Sequence, residues 1–288
     1  MKNKVLVLGA SGSFGRNCAE AFAKAGWDVR KFKRGQEDMT TAAQGADVIV
    51  NGLNPQNYKG WVTVLPQIAR DVTAAAKASG ATIIQPGNVY NYGAQPGEWD
   101  EHTPHNATTK KGQARIEMER ILREASARDG VQVLILRGGD FIDNAPTGNF
   151  IDFLAGKLGK GKFIYPGKAD IPHAWAYLPD MARAAVGLAE IRATLGDFED
   201  IPFEGHTISG EELRAGFSRV TGRTLGLSGF PWLMMKVLSP VWGLAREIQE
   251  MRYLWDTPHS LNGGRMQQLL PNFEATNQQD ILKAVVAG

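Results

Sequence analysis

The chain has 288 residues, of which 43% are hydrophobic and 22% are charged, and its formal net charge is +2. This composition is typical of a folded globular protein and excludes a disordered chain, while the small net charge gives no support for nucleic-acid binding. A single cysteine excludes an internal disulfide. The N-terminus leads directly into a strand without a signal-peptide pattern, and no apolar run reaches membrane-spanning length, so we expect a cytoplasmic protein with no membrane partner.

The N-terminal stretch predicts a strand, a glycine turn and a helix. Val5–Leu8 are apolar without a polar break, as in a parallel strand that is buried on both faces. Gly9, Gly12 and Gly15 follow at intervals of three, and Asn17–Ala25 is then expected to be helical. Glycines in such a turn let backbone N–H groups approach a pyrophosphate, and the helix dipole favours its negative charge. We therefore expect a dinucleotide-binding turn; the alternative is a glycine turn that only lets the strand and the helix pack closely.

The end of the second strand favours NADP over NAD. We expect this strand at 28–34, ending in Lys33 and Arg34. Folds that bind NAD usually place an acid here to bind the ribose 2′-OH, whereas basic side chains suit a 2′-phosphate. A solvated basic edge without a ligand is the alternative.

Strands and long helices alternate through the first half of the chain. We predict strands at 46–50, 81–85 and 131–136 and helices at 61–79 and from Thr108 or Thr109 to 128, with the helix before the third strand very short or absent. This pattern predicts an α/β fold, a Rossmann-type doubly wound parallel sheet. We place the dinucleotide-binding domain at 1–145 and a smaller, mostly helical substrate lobe at 146–288.

Two loops follow predicted strands at the edge where open α/β sheets bind ligands. We expect both to belong to the cofactor site, and their residues are Asn51, Gly52 and Leu53 in one and Pro86, Gly87 and Asn88 in the other.

The second half is less regular. We predict helices at 149–157 and 179–192, a strand at 203–208, and a helix to 221 that opens with a capping box at Ser209. Residues 230–254 form an amphipathic segment rich in tryptophan and methionine, including Trp242. This segment is either the core of the lobe or an apolar substrate lid or dimer surface.

Four motifs occur in an order that resembles a known family. They are Gly9-x-x-Gly12-x-x-Gly15, Val89-Tyr90, Leu136-Arg137-Gly138 and Trp175-x-Tyr177-x-x-Asp180-x-Ala182-Arg183. Together they resemble the extended or atypical short-chain dehydrogenase/reductase superfamily, the NAD-dependent epimerase/dehydratase group and its NmrA-like relatives, over the whole chain. The resemblance implies that the cofactor contacts Gly9, Ser11, Gly12, Ser13, Phe14, Gly15, Lys33, Arg34, Asp38 and Gly138.

The catalytic positions depart from the family pattern. Members with hydride chemistry use a tyrosine four residues before a lysine, which lowers the phenol pKa and holds the nicotinamide ribose. Here Lys110 and Lys111 are preceded at that distance by Asn106 and Ala107, and Pro86-Gly87-Asn88 replaces the expected serine. The serine and tyrosine of the family are therefore missing.

Three accounts remain open. In the first, Lys111 still binds the ribose and Tyr90 or Tyr92 replaces the missing acid, although Tyr90 could equally be pocket wall. In the second, water supplies the proton. In the third, the protein senses the NADP/NADPH ratio without turnover.

We favour an NAD(P)-dependent oxidoreductase that acts on a small or medium carbonyl or hydroxyl substrate. Asp140, His173 and Trp175 are the candidate substrate residues. The alternative roles are capping of a turn for Asp140 and packing against Trp175 for His173. The alternatives are a sensor or a sugar-nucleotide epimerase or dehydratase. No spacing indicates a metal site, and a homodimer is one option for assembly.

Overall fold

The computed structural model describes residues 3–55, 60–146, 148–238 and 248–288. The strands are β1 (Lys4–Leu8), β2 (Asp28–Lys31), β3 (Val48–Asn51), β4 (Thr82–Gly87), β5 (Gly97–Trp99), β6 (Val133–Arg137), β7 (Asp140–Ile142), β8 (Lys162–Tyr165), β9 (Ala174–Tyr177), β10 (Phe198–Pro202), β11 (His206–Thr207), β12 (Gly226–Gly229) and β13 (His259–Leu261). The α-helices are α1 (Ser13–Lys24), α2 (Met39–Ala43), α3 (Trp61–Ser79), α4 (Lys110–Asp129), α5 (Phe150–Ala155), α6 (Leu178–Glu190), α7 (Gly210–Thr221), α8 (Trp232–Leu238), α9 (Gly264–Leu269) and α10 (Gln278–Ala287).

The centre of the molecule is a six-stranded parallel sheet in the order β10-β6-β4-β3-β1-β2. From β1 the sheet extends to β2 on one side and to β3 on the other, so the strand order reverses between β1 and β3. Open α/β sheets bind their ligands at such a switch point, outside the carboxyl ends of the strands. The predicted doubly wound parallel sheet is confirmed.

Helices cover both faces of this sheet. In β1, Val5 and Val7 join the core under α1 and α6, whereas Leu6 and Leu8 join the core under α3 and α4. An uninterrupted apolar strand is what burial on both faces requires. The strand is therefore fixed at the middle of the sheet, with its carboxyl end open.

Local signals placed several elements correctly. Helix α3 has the predicted bounds and ends where Gly80 adopts a left-handed φ of 75°. Helix α7 opens with the predicted capping box between Ser209 and Glu212. The connection after β2 holds only the five-residue helix α2, as its length predicted.

Two predicted elements were wrong in position. Helix α1 begins at Ser13, four residues before the predicted Asn17, because the turn itself winds into the first helical turn. The predicted strand over 203–208 does not form: β10, which pairs with β6, ends before it at Pro202, and the two-residue β11 covers only His206–Thr207. Gly205 separates them with a positive φ of 56°.

The second half contributes to both parts of the molecule. Helix α6 and strand β10 belong to the sheet and its covering layer, whereas α5, α7, β8 and α10 surround a separate core that contains Phe163, Phe217 and Trp255. The division at residue 145 stays a prediction.

The tryptophan- and methionine-rich segment is partly core. Phe230, Met235, Met251 and Leu254 are buried, whereas Leu233, Met234 and Val237 on α8 are exposed, and Trp242 lies outside the described residues. Within the described ranges, none of the helices combines the length and the apolar character needed to cross a membrane.

Candidate active site

A cleft of about 530 Å³ opens at the carboxyl ends of β1, β3 and β4. Ten residues predicted for the cofactor, catalytic or substrate sites line it: Gly12, Ser13, Phe14, Gly52, Leu53, Pro86, Gly87, Asn88, Tyr90 and Asp140. The structure therefore brings the glycine turn, both predicted loops and the Tyr90 turn to one place, at the switch point of the sheet.

The glycine turn divides into residues that pack and residues that face the cleft. Gly9 has a φ of 69°, and a Cβ there would collide with the carbonyl oxygen of Gly52, while a Cβ on Gly15 would collide with the carbonyl of Gly9. Gly12, Ser13 and Phe14 line the cleft, but Gly9, Ser11 and Gly15 do not. Strand, turn and helix can approach this closely only with glycine at both packing positions.

The amino end of α1 fits a pyrophosphate. Gly12 is its N-cap, no side chain caps it, and its first turn carries no acid. The first N–H groups of a helix need partners from outside it, and the helix dipole favours an anion there. Ser13 and Phe14 stand at this end and line the cleft.

Buried polar contacts hold the two loops. Asn51 is fully buried and does not line the cleft; its Nδ2 donates to Oε1 of Gln85 at 2.7 Å, and its Oδ1 accepts from the N–H of Leu53 at 3.3 Å. The side chain of Asn88 accepts from the N–H of Tyr90 at 3.1 Å. Asn51 thus shapes the loop whose next residues face the cleft.

Arg137 anchors the Asn88 turn from inside the protein. Its guanidinium is fully buried, bonds Glu119 at 2.8 Å and Asp200 at 2.6 Å, and donates to the backbone carbonyl of Asn88 at 2.8 Å. Burial by itself would lower the pKa of Arg137, but the carboxylates of Asp200 and Glu119 raise it well above its usual value. Among the described residues, His105, Glu119 and Asp200 have ligand atoms within 4.8 Å of one another, close enough to bind a metal ion. Arg137 already binds both carboxylates, however.

The predicted adenosine contacts follow β2, which ends at Lys31 and not at Arg34 as predicted. Lys33 and Arg34 are exposed. Asp38 caps α2, where its Oδ1 accepts from the N–H of Thr41 at 2.8 Å, and this bond lowers the pKa of Asp38. The nearby acid Glu37 accepts from the N–H of Lys33 at 2.8 Å and pairs with Arg30 at 2.5 Å. Both bonds, that to the Lys33 N–H first, lower the pKa of Glu37.

Lys111 does not line the cleft. Its side chain is 2% exposed, and its Nζ lies 3.1 Å from Oε2 of Glu250, whose other oxygen accepts the backbone N–H of Lys111 at 2.8 Å. Arg115, one helical turn further along α4, does line the cleft. Its guanidinium carbon lies 4.8 Å from the ring centroid of Trp61, and its Nη2 lies 3.4 Å from Oδ1 of Asn54.

The two candidate tyrosines have different environments. Tyr90 lines the cleft beside Trp61, at a centroid distance of 6.4 Å. Tyr92 is fully buried and does not line it; its ring packs on Trp99, and its hydroxyl donates to the carbonyl of Asp100 at 3.1 Å. Burial raises the pKa of Tyr92. Of the pair, only Tyr90 lines the cleft.

Replacing Tyr92 with phenylalanine is expected to lower the free energy of unfolding by about 1 kcal/mol, because the buried carbonyl of Asp100 loses its donor. Turnover should not change. Urea denaturation and steady-state kinetics of Tyr92→Phe and Tyr90→Phe side by side would check this. A loss of kcat in Tyr92→Phe with unchanged stability would contradict the structural role.

A second cavity of about 360 Å³ joins the cleft. Five residues line both spaces: Tyr90, Asp140, Phe141, Gly148 and Asn149. We call these residues the junction. A dinucleotide on the glycine turn and a substrate in the second cavity would meet there, beside a phenol, a carboxylate and an amide.

Asp140 is held by His173. The His173 ring is 1% exposed, and its Nε2 lies 2.8 Å from Oδ2 of Asp140. The ring stacks on Trp255 at 4.4 Å with an interplanar angle of 7°. Within the described part of the chain, Oδ1 of Asp140 makes no hydrogen bond. His173 thus orients the carboxylate through Oδ2, and Oδ1 is available to a ligand.

Two further predicted residues are packing residues. Trp175 is fully buried, packs on His173 at 4.9 Å, and donates from Nε1 to the carbonyl of Ile208 at 3.2 Å. Gly138 faces β9, where a Cβ would lie 2.8 Å from that of Ala176. Neither residue lines the cleft or the second cavity.

No protein-family model matches this sequence, and no curated protein matches it. Solved structures do match over nearly the whole chain. The UDP-N-acetylglucosamine 4-epimerase from Bacillus cereus has a TM-score of 0.78 at 12% identity and covers 99% of this chain and 98% of its own. A UDP-glucuronic acid 4-epimerase from Bacillus cereus in complex with NAD has a TM-score of 0.75 at 15% identity, covering 98% and 96%. The UDP-Glc/GlcNAc 4-epimerase from Campylobacter jejuni has a TM-score of 0.73 at 15% identity, covering 99% and 98%.

The chain has the fold of these epimerases. The likeness confirms the predicted Rossmann-type architecture, which the family resemblance also implied. At this level of identity it describes the fold, and the chemistry must be argued from the side chains.

Arg115, Asn149 and Glu250 are not among the site residues predicted from the sequence. Arg115 could have been found, because a residue four positions after Lys111 lies on the same face of a helix. Asn149 was visible only as a helix start. Glu250 is separated from Lys111 by 139 positions, and no local pattern links them.

Proposed function

We propose that this chain is an NAD(P)-dependent oxidoreductase that acts on a carbonyl or hydroxyl compound held in the second cavity. One observation carries the proposal: the cleft of the glycine turn opens into that cavity through the junction, where Tyr90 and Asp140 stand. A redox cofactor site that shares its polar residues with a substrate-sized cavity is the arrangement hydride transfer requires.

The residues have separate tasks in this proposal. The N–H groups of Ser13 and Phe14 at the amino end of α1 would hold the pyrophosphate. The dinucleotide, when bound, supplies or accepts the hydride. Asp140 accepts the proton of a substrate hydroxyl in one direction and returns it in the other, while His173 keeps the carboxylate oriented.

NADP is the preferred cofactor in this proposal. Arg34 and Lys33 are exposed just after β2, and the carboxylate of Glu37 is bound by Arg30 and by a backbone N–H. We expect Arg34→Ala to weaken NADPH binding about 10-fold and NADH binding less than about twofold, because a charge-assisted bond to the 2′-phosphate is lost. Calorimetry with all four dinucleotides, and with the exposed Arg128→Ala as control, would measure this. Equal losses for both cofactors would remove Arg34 from the phosphate site.

A sugar-nucleotide epimerase is the second candidate, since structures of such enzymes share the fold. The two candidates differ in what turnover requires. The oxidoreductase changes the oxidation state of the dinucleotide at each turnover, whereas an epimerase regenerates it.

Absorbance at 340 nm during turnover therefore tests the proposal. A carbonyl substrate should cause stoichiometric consumption of NADPH. Epimerisation of UDP-glucose without net consumption would favour the second candidate, and tight dinucleotide binding with no reaction of either kind would make the protein a sensor.

A further inference from the structure

The second cavity has a wall of aromatic and aliphatic side chains. Six of these side chains are large aromatic or methionine side chains: Phe150, Phe153, Phe230, Met235, Met251 and Trp255. The ring of Phe150 stacks on Trp255 at 4.7 Å and on Phe230 at 6.1 Å, and Phe153 lies 5.1 Å from Phe230. These rings hold one another in place, so the wall is formed before any ligand enters.

Charged side chains are scarce among the described residues that line this cavity. Of the described residues that line it, Asp140 is the only one with a charged side chain. A diphosphate is recognised by cationic side chains or by backbone N–H groups at a helix terminus, and burial beside a carboxylate without such partners is costly. The described lining of the cavity is therefore poorly suited to a nucleoside diphosphate.

We infer that the second cavity binds a neutral, largely apolar carbonyl or hydroxyl compound with at least one ring, and that its oxygen faces Asp140 at the junction. The volume of about 360 Å³ is within the usual range for small-molecule pockets. The part of this inference that concerns the oxygen rests on the proposed function. The part that concerns an apolar, uncharged ligand rests on the cavity wall alone.

Trp255 links the cavity to the junction. One face of its ring stacks on His173, which holds Asp140 at 2.8 Å, and the residue also lines the cavity. A ligand on this wall therefore contacts Trp255, whose ring packs on His173, and His173 in turn holds the carboxylate of Asp140. Ligand binding should change the fluorescence of this tryptophan.

The test measures binding without turnover. Acetonaphthone, a neutral aromatic ketone, and UDP-glucose are titrated into the wild-type protein and into Phe230→Ala and Phe153→Ala, with calorimetry and tryptophan fluorescence as readouts. The control is Leu227→Ala, which removes an equally exposed apolar side chain (44%, against 42% for Phe153) that does not line the cavity. We expect acetonaphthone to bind the wild type, to bind each wall variant about 10-fold more weakly, and to bind the control unchanged. NADPH affinity should be the same in all four proteins.

The outcomes separate the two claims. UDP-glucose binding that Phe230→Ala weakens, or acetonaphthone binding that neither wall variant changes, would overturn the inference, and so would an absence of ketone binding. Ketone binding that depends on the wall, but without consumption of NADPH, would support the inference and contradict the proposed function. Circular dichroism and the unchanged NADPH affinity show that a variant is folded.

Discussion

Asp140→Asn is expected to lower kcat about 100-fold or more while NADPH still binds as in the wild type. General acid–base catalysis typically contributes about 100- to 10,000-fold, and asparagine keeps the shape of the side chain without the ability to accept a proton. Asp140 is the only carboxylate among the described residues that line both the cleft and the second cavity. Steady-state kinetics and calorimetry on the same preparation would give both values.

The control for this variant is Asp170→Asn, which removes an exposed carboxylate that lines neither space. It should leave kcat unchanged. Full activity of Asp140→Asn would show that Asp140 transfers no proton. A loss of kcat in Tyr90→Phe would then assign the proton transfer to Tyr90.

His173 should act through Asp140 and not on the substrate. His173→Gln removes the ring whose Nε2 lies 2.8 Å from Oδ2 of the carboxylate. This contact orients the carboxylate, so its loss should lower kcat while the KM for the substrate changes little. A purely structural role would lower the free energy of unfolding and leave kcat of the folded enzyme unchanged.

Arg137→Met is expected to lower the free energy of unfolding by about 3–5 kcal/mol, because it leaves two buried carboxylates without their shared cation. The side chain is fully buried; it donates from Nη1 and Nη2 to Glu119 and from Nη2 and Nε to Asp200. Guanidinium denaturation would measure the loss. The exposed Arg120→Met, which removes ion pairs on the surface of α4, should cause little change in the midpoint.

A triple variant distinguishes the loss of charge balance from the loss of packing. Arg137→Met combined with Glu119→Gln and Asp200→Asn should recover much of the lost stability, since no buried charge is then left unpaired. If the triple variant is as unstable as Arg137→Met alone, packing and not electrostatics accounts for the effect. Arg137 also holds the carbonyl of Asn88, so weaker dinucleotide binding should accompany the loss.

The parts of the fold that local chemistry determines could be predicted from the sequence. The apolar run Val5–Leu8, the left-handed Gly80 after α3 and the Ser209 capping box each act within a few residues, and each element was placed correctly. Strand β10 was missed because it carries Glu199 and Asp200, which resemble a surface segment.

Those acids are partners of distant residues. Asp200 pairs with Arg137, 63 positions away, and Glu199 pairs with Arg265, 66 positions away. Only the folded chain neutralises these charges, so hydrophobic patterning could not identify the strand. The second cavity was missed for a similar reason, because its wall combines α5 with residues near 230 and 255.

In the candidate site, too, single residues could be identified from the sequence, but their partners could not. Asp140 and His173 were each identified from the sequence, but their pairing joins positions 33 residues apart and could not be predicted. The salt bridge from Lys111 to Glu250 likewise depends on the tertiary fold, and the ribose-binding role of Lys111 that the family resemblance implies stays a prediction.

The most direct test of the central claim follows the hydride itself. The protein is incubated with acetonaphthone and NADPH carrying deuterium on one face of C4 or on the other, and the alcohol is analysed by mass spectrometry. A single redox site shared by the cleft and the second cavity predicts deuterium on the carbinol carbon from only one of the two labelled forms. If the protein binds both ligands but the ketone is recovered unchanged and no alcohol forms, the account is contradicted.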